Sequence, residues 1–363
     1  MRLLYITNGI KGAGGLERVL AVKASYLADK LGYDVHIIAL NHNDAQCFYE
    51  FSDKIKIHNV AIKGNPISYL KMYTSGIKSC VKDIQPDVIS VCDDGLKGFF
   101  LPFLIKAKGI IYERHVSKII ELGSNPSLIK KITTGFKFKL MTHLSKKFDR
   151  FVVLTNDNLT EWHGKNVIVI SNPLSFYPEQ SSNLESKTVI AVGKQSFQKG
   201  FDRLLQSWYQ VQEKHPDWNL EIYGKYDASQ RLDGLASELN VANSVHFFEP
   251  EKNIQAKYLA SSIYVMSSRF EGFGMVLTEA MACGVPCVSF DCPCGPSDII
   301  KNKEDGFLVP NGNTNDLATK IIALIESEEL RKTMGQKAKV NVKRYLPEVI
   351  CHQWDELFKT LTA

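Results

Sequence analysis

Long apolar runs are missing from this sequence: no stretch approaches the roughly 18 consecutive apolar residues of a membrane-spanning helix. The apolar run within Met1–Asn8 is too short for a secretory signal, so we expect a buried strand there and a cytoplasmic protein. Internal repeats and low-complexity tracts are also missing, which argues against solenoid and disordered chains. The remaining composition, 363 residues with 44% hydrophobic and 23% charged, indicates about two globular domains.

Two metal-binding patterns are also absent. The eight cysteines form no pair of CxxC motifs, and Cys287, Cys292 and Cys294 lack the partner ligands that a zinc site needs. We interpret them as small apolar side chains of the core. No Asp-x-Asp pair occurs in the sequence, so there is no obvious clamp for a divalent metal.

Acidic residues are scarce in the first half of the chain. Residues 1–172 carry 24 Lys and Arg against 15 Asp and Glu, whereas residues 173–363 carry 20 against 24. The net charge of +5 therefore hides an uneven distribution. A basic half of this kind indicates an anionic partner.

Short apolar runs alternate with amphipathic stretches along the whole chain. The predicted strands are Leu3–Ile6, Val35–Leu40, Val88–Val91, Gly109–Tyr112, Phe151–Leu154, Val189–Val192, Leu220–Tyr223, Val245–Phe248, Ile263–Met266, Val285–Ser289 and Phe307–Val309. This alternation predicts an α/β protein of two Rossmann-like, doubly wound domains that face each other across a ligand cleft. We expect one domain over residues 1–172, a second over 173–345, and a helix in 346–363 that crosses back to the first.

A glycine-rich loop, Asn8–Glu17, separates the first predicted strand from the first predicted helix. Glycines let the backbone approach a ligand, and a helix N-terminus offers free N–H groups to an anion. The dinucleotide spacing GxGxxG, counted from Gly12, requires glycine where the chain has Glu17, so an NAD fingerprint is excluded. A phosphate-contacting loop and a plain tight turn remain as interpretations.

A second strand–loop–helix segment, Ala191–Asp202, carries Lys194 and Lys199 beside a predicted helix start. Two ammonium groups at the carboxyl end of a strand suit a diphosphate, because lysine binds phosphate as a point charge. The alternative is a pair of solvated surface lysines. The strand–loop–helix context favours the diphosphate site.

The third segment, Ser267–Pro286, carries two glutamates eight positions apart, Glu271 and Glu279. The turn at Gly272–Gly274 predicts a helix start, with Glu271 in the loop before the helix and Glu279 inside it. A helix N-terminus attracts a diphosphate, and a carboxylate further along can accept hydrogen bonds from a ribose diol. A capped surface helix with chance glutamates is the alternative, and it explains the glycines less well.

The residues around this glutamate pair, Phe270–Pro286, resemble the family-4 (GT4) retaining glycosyltransferases. The similarity continues in Val192–Gly200, which resembles the diphosphate loop of that family, and in Gly14–Leu20, which resembles its N-terminal glycine loop. Gly295–Ile300 and Asp305–Val309 resemble its closing segment. The similarity spans nearly the whole chain except residues 40–85 and 116–150. The resemblance implies a GT-B fold, with the active site between two Rossmann-like domains and the donor held mainly by the C-terminal one.

The resemblance also implies roles for individual residues. Lys194 and Lys199 would contact the diphosphate, Glu279 the ribose, and Glu271 the sugar hydroxyls. The implied donor-binding set is Gly14, Gly15, Lys194, Lys199, Glu271, Phe273, Gly274, Met275, Val276 and Glu279. The implied catalytic residues are Glu271, Lys199 and His115, the last because it falls where relatives have a histidine near the donor sugar.

The reaction implied is sugar transfer from a nucleoside diphosphate sugar, with UDP favoured as the nucleotide and with retention of configuration. Transfer creates an oxocarbenium-like centre and a diphosphate leaving group, whose charge Lys194, Lys199 and the helix starting near Gly274 would stabilise. No side chain is an evident covalent nucleophile, which suggests attack from the same face. We expect transfer without a metal or another cofactor.

Basic residues are concentrated in residues 118–150, where eight Lys or Arg stand against Glu121 and Asp149. The apolar residues interleaved with them are Phe136, Phe138, Leu140, Met141, Leu144 and Phe148. A basic amphipathic helix binds an anionic membrane surface, which would suit a lipid-linked acceptor and a position at the inner face of the membrane. A solvated helix face is the alternative, and without a nucleic-acid fold signature we expect no nucleic-acid partner.

We therefore expect a hexosyltransferase (EC 2.4) that adds a sugar to a saccharide or lipid-linked glycan in capsule, lipopolysaccharide or another cell-surface polysaccharide. Two alternatives remain. Another GT-B enzyme, such as a sugar-nucleotide 2-epimerase, would convert its nucleotide sugar with no acceptor present. A non-catalytic sugar-nucleotide-binding subunit would bind the donor but release no free nucleotide.

Overall fold

The computed structural model describes residues 1–43, 46–121, 123 and 126–363, and it divides into two compact units. The first unit contains Met1–Lys118, Pro126–Ser175 and Pro347–Ala363, and the second contains the described residues of Ile119–Asn125 together with Phe176–Leu346. Each unit is built on one parallel sheet with helices packed against it. The predicted α/β fold class with two Rossmann-like domains is confirmed.

The strands of the described residues follow the predicted apolar runs closely. They are β1 (Arg2–Thr7), β2 (Asp34–Leu40), β3 (Lys56–Val60), β4 (Val88–Cys92), β5 (Gly109–Glu113), β6 (Arg150–Val153), β7 (Val167–Val169), β8 (Thr188–Val192), β9 (Asn219–Tyr223), β10 (Val245–Phe248), β11 (Ile263–Met266), β12 (Cys287–Asp291) and β13 (Gly306–Pro310). Two of them, β3 and β7, were not expected, and β12 begins two residues later than the predicted Val285.

The α-helices connect these strands. They are α1 (Gly15–Asp29), α2 (Pro66–Ile84), α3 (Leu128–Ser145), α4 (Asn158–Glu161), α5 (Phe201–Lys214), α6 (Leu232–Glu238), α7 (Ile254–Leu259), α8 (Met275–Ala282), α9 (Pro296–Ile299), α10 (Thr314–Glu326), α11 (Glu328–Asn341) and α12 (Pro347–Thr362). Within the described part of the chain, none of these helices is both long and apolar enough to cross a membrane.

The first sheet has the strand order β3-β2-β1-β4-β5-β6-β7, and all of its strands are parallel. Its central strands are continuous apolar runs because helices cover both faces of a doubly wound sheet. One face packs on α2 and α3 through a core that includes Phe99, Tyr112 and Trp162. The carboxyl ends of β4 and β5 lie at the same edge, where Asp93 and His115 follow.

The second sheet has the strand order β10-β9-β8-β11-β12-β13 and is also parallel throughout. Its core contains Trp208 of α5, which is fully buried and donates its indole N–H to Ser244 Oγ at 3.0 Å. The strands β8 and β11 are neighbours. Their carboxyl ends lead into the loops that carry Lys199 and Glu271. The segment with the two lysines and the segment with the two glutamates therefore meet at one edge of this sheet.

The C-terminal helix α12 belongs to the first unit, although it follows the second unit in the sequence. It packs against α1 and the strands β4 and β5. Tyr33, just after α1, donates its hydroxyl to Asp355 of α12 at 2.6 Å. The first unit is therefore completed by the chain segment that comes after the second.

Candidate functional site

The loops after β8 and β11 interlock at the carboxyl edge of the second sheet. The guanidinium of Arg269 donates to both carboxylate oxygens of Asp202, at 2.8 and 2.6 Å, and to the carbonyl of Phe197 at 2.7 Å. Gln198 donates to the carbonyl of Phe270 at 3.1 Å, and its own carbonyl accepts from the Arg269 N–H at 2.7 Å. The predicted diphosphate loop and the predicted sugar loop therefore form a single surface.

The Arg269–Asp202 pair keeps its charge in spite of partial burial. Burial alone raises the pKa of the Asp202 carboxyl. The hydrogen bonds and the charge of Arg269 together lower this pKa by more than burial raises it, so it lies below its ordinary value. Two parallel N–H···O bonds also fix the orientation of the guanidinium plane. The pair thus anchors both loops in a defined geometry.

Lys199 and Glu271 form an ion pair at the centre of this surface, with Nζ 2.7 Å from Oε1. The same carboxylate oxygen accepts a hydrogen bond from Ser268 Oγ at 2.5 Å. The side chain of Glu271 is 6% exposed and that of Lys199 is 18% exposed, so the ammonium group borders solvent while the carboxylate is enclosed. A cation that is already held in place can bind an anion at little cost in side-chain entropy.

Lys194, the other predicted diphosphate ligand, is exposed at the start of the same loop. Its charge acts on Asp227, whose pKa lies below its ordinary value mainly because Ser229 donates to that carboxylate. The backbone beside Lys194 is tightly constrained, since a Cβ atom on Gly224 would overlap the carbonyl of Gly193. Lys194 therefore has a fixed backbone but a solvated side chain, unlike Lys199.

Helix α8 begins where the glycine pattern predicts. Its N-cap is Gly274, with φ of +93°, a left-handed conformation that favours glycine. Phe273 is buried before it, and its carbonyl lies so close to Gly295 that a Cβ atom there would overlap it. The first turn places Met275 and Val276 in half-buried positions, with their N–H groups at the start of the helix.

Glu279 lies inside α8 as predicted, but its side chain is fully buried. Tyr258 Oη lies 3.4 Å from its Oε2 atom. Burial raises the pKa of the neighbouring Cys283 thiol to about 12, with Glu279 adding to the effect. A ribose would reach this carboxylate only if side chains around it moved.

In the first unit, Gly14 and Gly15 are exposed at the start of α1. The carboxylate of Glu17 folds back over this start, since Cβ atoms on Gly12 or Gly14 would overlap its oxygens. An acidic side chain in the first turn stabilises a helix dipole. A phosphate that bound at this N-terminus would compete with the carboxylate of Glu17.

His115, the third predicted catalytic residue, lies two residues after Glu113, the last residue of β5. Its Nε2 atom is 3.2 Å from Glu113 Oε2. Glu113 also pairs through Oε2 with the ammonium of Lys23 and accepts from Ser90 Oγ through Oε1 at 2.6 Å. Burial alone raises the pKa of Glu113, but the Lys23 charge and the His115 hydrogen bond hold it well below its usual range.

Sequence reasoning missed Lys23 and Glu113, which the fold brings together across 90 positions. Their side chains are 2% and 1% exposed. The Lys23 ammonium lies 3.9 Å from the ring centroid of Trp354 on α12 and 5.1 Å from that of Tyr5. A signal was available, because Lys23 lies four residues from Leu27 on the apolar face of α1.

Among the described residues, Cys92, Glu113 and His115 form the group whose ligand atoms come close enough to hold a metal ion. Two observations weigh against such a site. The ammonium of Lys23 already neutralises Glu113, and burial raises the pKa of the Cys92 thiol well above its ordinary value, so the thiolate a metal needs is disfavoured. The eight cysteines, all of them among the described residues, form no disulfide, and Cys287, Cys292 and Cys294 are buried as expected.

The basic segment 118–150 divides between the core and the surface. Its residues Leu122, Ser124 and Asn125 lie outside the described residues. Lys118 is half-buried, with Nζ donating to the Glu161 carbonyl at 2.6 Å, and burial lowers its pKa. Met141, Leu144 and Phe148, which were expected on a membrane-binding face, pack into the core of the first unit instead. Phe138 and Leu140 are half-buried beside it, whereas Phe136 is exposed.

Comparisons with known protein families give matches in both halves of the chain. The model described as "Glycosyl transferases group 1" matches residues 176–341. The model described as "Glycosyl transferase 4-like" matches residues 17–148. These two matches fall on the second and first units, respectively.

Two relatives are similar over nearly their full length. An uncharacterized glycosyltransferase of Haemophilus influenzae is 33% identical over 96% of this chain and 97% of its own. The amylovoran biosynthesis glycosyltransferase AmsD of Erwinia amylovora is 30% identical over 98% of this chain and 99% of its own.

Two solved structures share the fold at lower identity. Sucrose-phosphate synthase from Thermosynechococcus elongatus superposes with a TM-score of 0.82 at 18% identity, covering 99% of both chains. A mutant of S. aureus TarM, in complex with Fondaparinux, alpha-GlcNAc-glycerol and UDP, superposes with a TM-score of 0.79 at 17% identity, covering 99% of this chain and 100% of its own. The expected GT-B fold is confirmed.

Proposed function

Because the chain belongs to the glycosyltransferases of the GT4 type, we propose that it transfers a hexose from a UDP-sugar to a saccharide or lipid-linked glycan during the synthesis of a cell-surface polysaccharide. The relative AmsD is described as an amylovoran biosynthesis enzyme, which supports a polysaccharide product. The structure with UDP bound to S. aureus TarM supports uridine as the base. Lipopolysaccharide and capsule are the polysaccharide classes we favour.

The observation that carries the proposal is the Lys199–Glu271 pair at the carboxyl edge of the second sheet. Ligands of open α/β sheets bind at this edge. The ammonium of Lys199 would bind the diphosphate of the donor, and Glu271 would accept hydrogen bonds from hydroxyl groups of the sugar. Lys194 and the N–H groups at the start of α8 would add positive charge toward the same diphosphate.

The same residues would stabilise the leaving group without a metal ion. As the glycosidic bond breaks, negative charge grows on the diphosphate, and a fixed ammonium group lowers the barrier most when it is already oriented. Glu271 pairs with the ammonium of Lys199 and accepts a hydrogen bond from Ser268, which argues against its acting as a covalent nucleophile. Transfer with retention would then proceed by attack from the face that the diphosphate leaves.

A thermal-shift series in EDTA tests donor binding, with UDP, GDP, ADP, CMP and NAD as ligands. A ligand that binds only the folded protein stabilises it by about 2.7 kcal/mol at a hundredfold excess over its dissociation constant. We expect a clear shift with UDP, a weaker shift in Lys199→Met, and an unchanged shift in the control Lys214→Met, an exposed residue in the last turn of α5. No shift with any nucleoside diphosphate would contradict the proposal.

An activity assay separates transfer from the two alternatives. Release of UDP only when a saccharide acceptor is present supports transfer, whereas conversion of the nucleotide sugar without acceptor would indicate an epimerase. Binding without any release would indicate a silent subunit. Loss of activity in EDTA that magnesium restores would refute the metal-free mechanism.

We propose an anionic membrane surface as a further partner, and helix α3 is the element that would bind it. The side chains of Leu128, Ile129, Ile132 and Phe136 are 73%, 74%, 64% and 73% exposed. They form one stripe on the side of the helix opposite to its buried residues Met141 and Leu144. No Asp or Glu occurs in residues 126–148, and the exposed lysines include Lys130, Lys131 and Lys139. Apolar side chains flanked by ammonium groups suit the interface of an anionic bilayer.

Flotation with vesicles tests this partner. The wild type should float with vesicles that contain phosphatidylglycerol and stay behind with phosphatidylcholine alone. The exposed double variant Ile129→Ser/Phe136→Ser should lose flotation, whereas Val340→Ser, 63% exposed on α11, should not. Equal recovery with both vesicle types, or full flotation of the double variant, would contradict the membrane proposal.

A further inference from the structure

Burying the Lys23–Glu113 pair in the core of the first unit costs desolvation free energy. Both charges are removed from water, with side chains 2% and 1% exposed. Replacing such a pair by apolar side chains is often neutral or stabilising, so its presence is weak support for a purely stabilising role. Something other than stability accounts for a carboxylate at this position.

Besides Lys23 and Ser90, the carboxylate of Glu113 contacts His115. The side chain of His115 is 6% exposed, and its Nε2 atom lies 3.2 Å from Glu113 Oε2. Its other ring nitrogen, Nδ1, is buried and has no hydrogen-bond partner among the described residues. A buried polar atom without a partner costs free energy, which a hydrogen bond to a bound ligand group would recover.

A carboxylate can only accept hydrogen bonds, so it fixes which nitrogen of a neutral imidazole carries the proton. With Glu113 ionised by its pairing with Lys23, the proton lies on Nε2 of His115. The free acceptor is then Nδ1. The partner of Nδ1 must be a donor, such as a hydroxyl group.

We propose that Glu113, which pairs with Lys23, is a positioning residue that sets the tautomer of His115 so that Nδ1 accepts a hydrogen bond from a hydroxyl group of the substrate. The inference rests on the proposed function for the identity of that substrate, a sugar. His115 follows the carboxyl end of β5, the edge where ligands of such sheets bind. Because Nδ1 is shielded from solvent, the loop that carries His115 must move when the hydroxyl binds.

The tautomer can be measured in the ligand-free protein, independently of any activity. In the full chain with ¹⁵N-labelled histidine, at a pH where the spectra show a neutral imidazole, long-range proton–nitrogen spectra should show His115 in the Nε2–H form, with His115→Asn used for assignment. In Lys23→Met/Glu113→Leu the acceptor is gone, so the fraction of the Nδ1–H form should rise above that of the wild type. A predominant Nδ1–H form in the wild type, or an unchanged tautomer ratio in the double variant, would overturn the proposal.

Kinetics then test the consequence for transfer. We expect kcat of Lys23→Met/Glu113→Leu to fall about 100-fold, the scale of a misplaced reacting group, with the KM for the nucleotide sugar within about twofold. Lys23→Met/Glu113→Gln keeps a carbonyl acceptor and should recover part of the loss. The control Tyr33→Phe removes the buried hydrogen bond to Asp355 between α1 and α12, and it should leave kcat unchanged.

The outcomes distinguish this inference from the proposed function. Wild-type kcat in the folded Lys23→Met/Glu113→Leu variant, or in His115→Ala, would overturn the positioning role while transfer itself stands. If the wild type transfers no sugar, the proposed function fails. The tautomer spectra would still decide whether Glu113 orients His115.

Discussion

The Lys199–Glu271 pair of the second unit and the Lys23–Glu113 pair of the first have the same composition but differ in almost every other respect. Lys199 and Glu271 lie in adjacent loops at the edge of the second sheet, and the lysine side chain is 18% exposed. Lys23 and Glu113 lie on a helix and at a strand end, and both are enclosed. Position, and not residue type, decides what each pair does.

The difference in solvent contact has a physical consequence. An ammonium group at a solvent border can exchange its carboxylate partner for an arriving phosphate, so the Lys199–Glu271 pair is suited to binding. An ammonium enclosed by Glu113 and the rings of Tyr5 and Trp354 has no such exchange available. The inner pair therefore stays together when a ligand binds, which is what a group that orients a neighbour requires.

The largest expected effect is that of Lys23→Met on stability. Removing one partner of a buried pair leaves the other charge uncompensated, at a cost of about 3–5 kcal/mol. Urea unfolding followed by tryptophan fluorescence measures this loss. The double variant Lys23→Met/Glu113→Leu should regain most of it. A single variant as stable as the wild type would show that solvent reaches Glu113, and the contrast between the two pairs would disappear.

Lys199→Met should affect turnover more than folding. Loss of an oriented charge at the leaving group lowers kcat by about 100-fold or more. The stability loss should be smaller than for Lys23→Met, about 1–2 kcal/mol, because the Lys199 ammonium borders solvent and Ser268 still donates a hydrogen bond to Glu271. Steady-state kinetics and thermal melting measure the two effects. Full activity in this variant would mean that the site is misplaced.

Mild acid should lower the stability of the first unit, and we expect this loss to be smaller than those caused by the two lysine variants. Burial lowers the pKa of His36 and of His58, whose rings stack with centroids 5.1 Å apart on β2 and β3. Just below an ordinary histidine pKa of about 6.5, the unfolded chain thus binds more protons than the folded one, so stability falls as the pH drops. Asp34, Lys56 and Arg2 face the pair, and Asp34 stays ionised in this range because its own pKa is lowered.

Hydrogen exchange resolved by unit measures this acid response. Between about pH 7.5 and pH 5.5, protection of the first unit should fall more than that of the second. In His36→Gln/His58→Gln the additional loss should vanish. An equal loss of protection in both units would show that the histidine pair does not set the response.

The smallest effect serves as a reference for the other ion pairs. Lys301 and Glu304 pair at 2.7 Å on the surface of the second unit, where the lysine side chain is 70% exposed. Exposed pairs contribute little because solvent and salt screen them. Lys301→Met should leave the melting temperature and kcat unchanged. A measurable fall in either quantity would mean that the solvent exposure of an ion pair does not by itself predict its contribution to stability or activity.

The sequence predicts the central strands well and the edge strands poorly. β4 and β5 are apolar throughout because both of their faces are covered. By contrast, β3 (Lys56–Val60) has mostly exposed side chains, and β7 has only three residues, all half-buried. Such segments become strands through pairing with a neighbour, and a local pattern does not contain that information.

The candidate site shows the same division between local and distant information. Gly274 and Glu271 belong to one continuous motif, so the start of α8 could be predicted from spacing alone. The link between Lys23, Glu113 and His115 depends on which strands lie side by side, and no local pattern reports it. The burial of Glu279 was also out of reach, because α7 supplies the covering Tyr258.

The place of α12 bears on how the protein is made. During synthesis β1, α1 and β5 leave the ribosome early, but Trp354, which covers Lys23, emerges only after the whole second unit has been translated. Until then the ammonium group of Lys23 lacks the ring of Trp354 that lies over it in the folded unit. The first unit can therefore complete its folding only after its own sheet and the whole second unit have been synthesised. A chain that is truncated near Leu346 would lack the helix that completes the first unit.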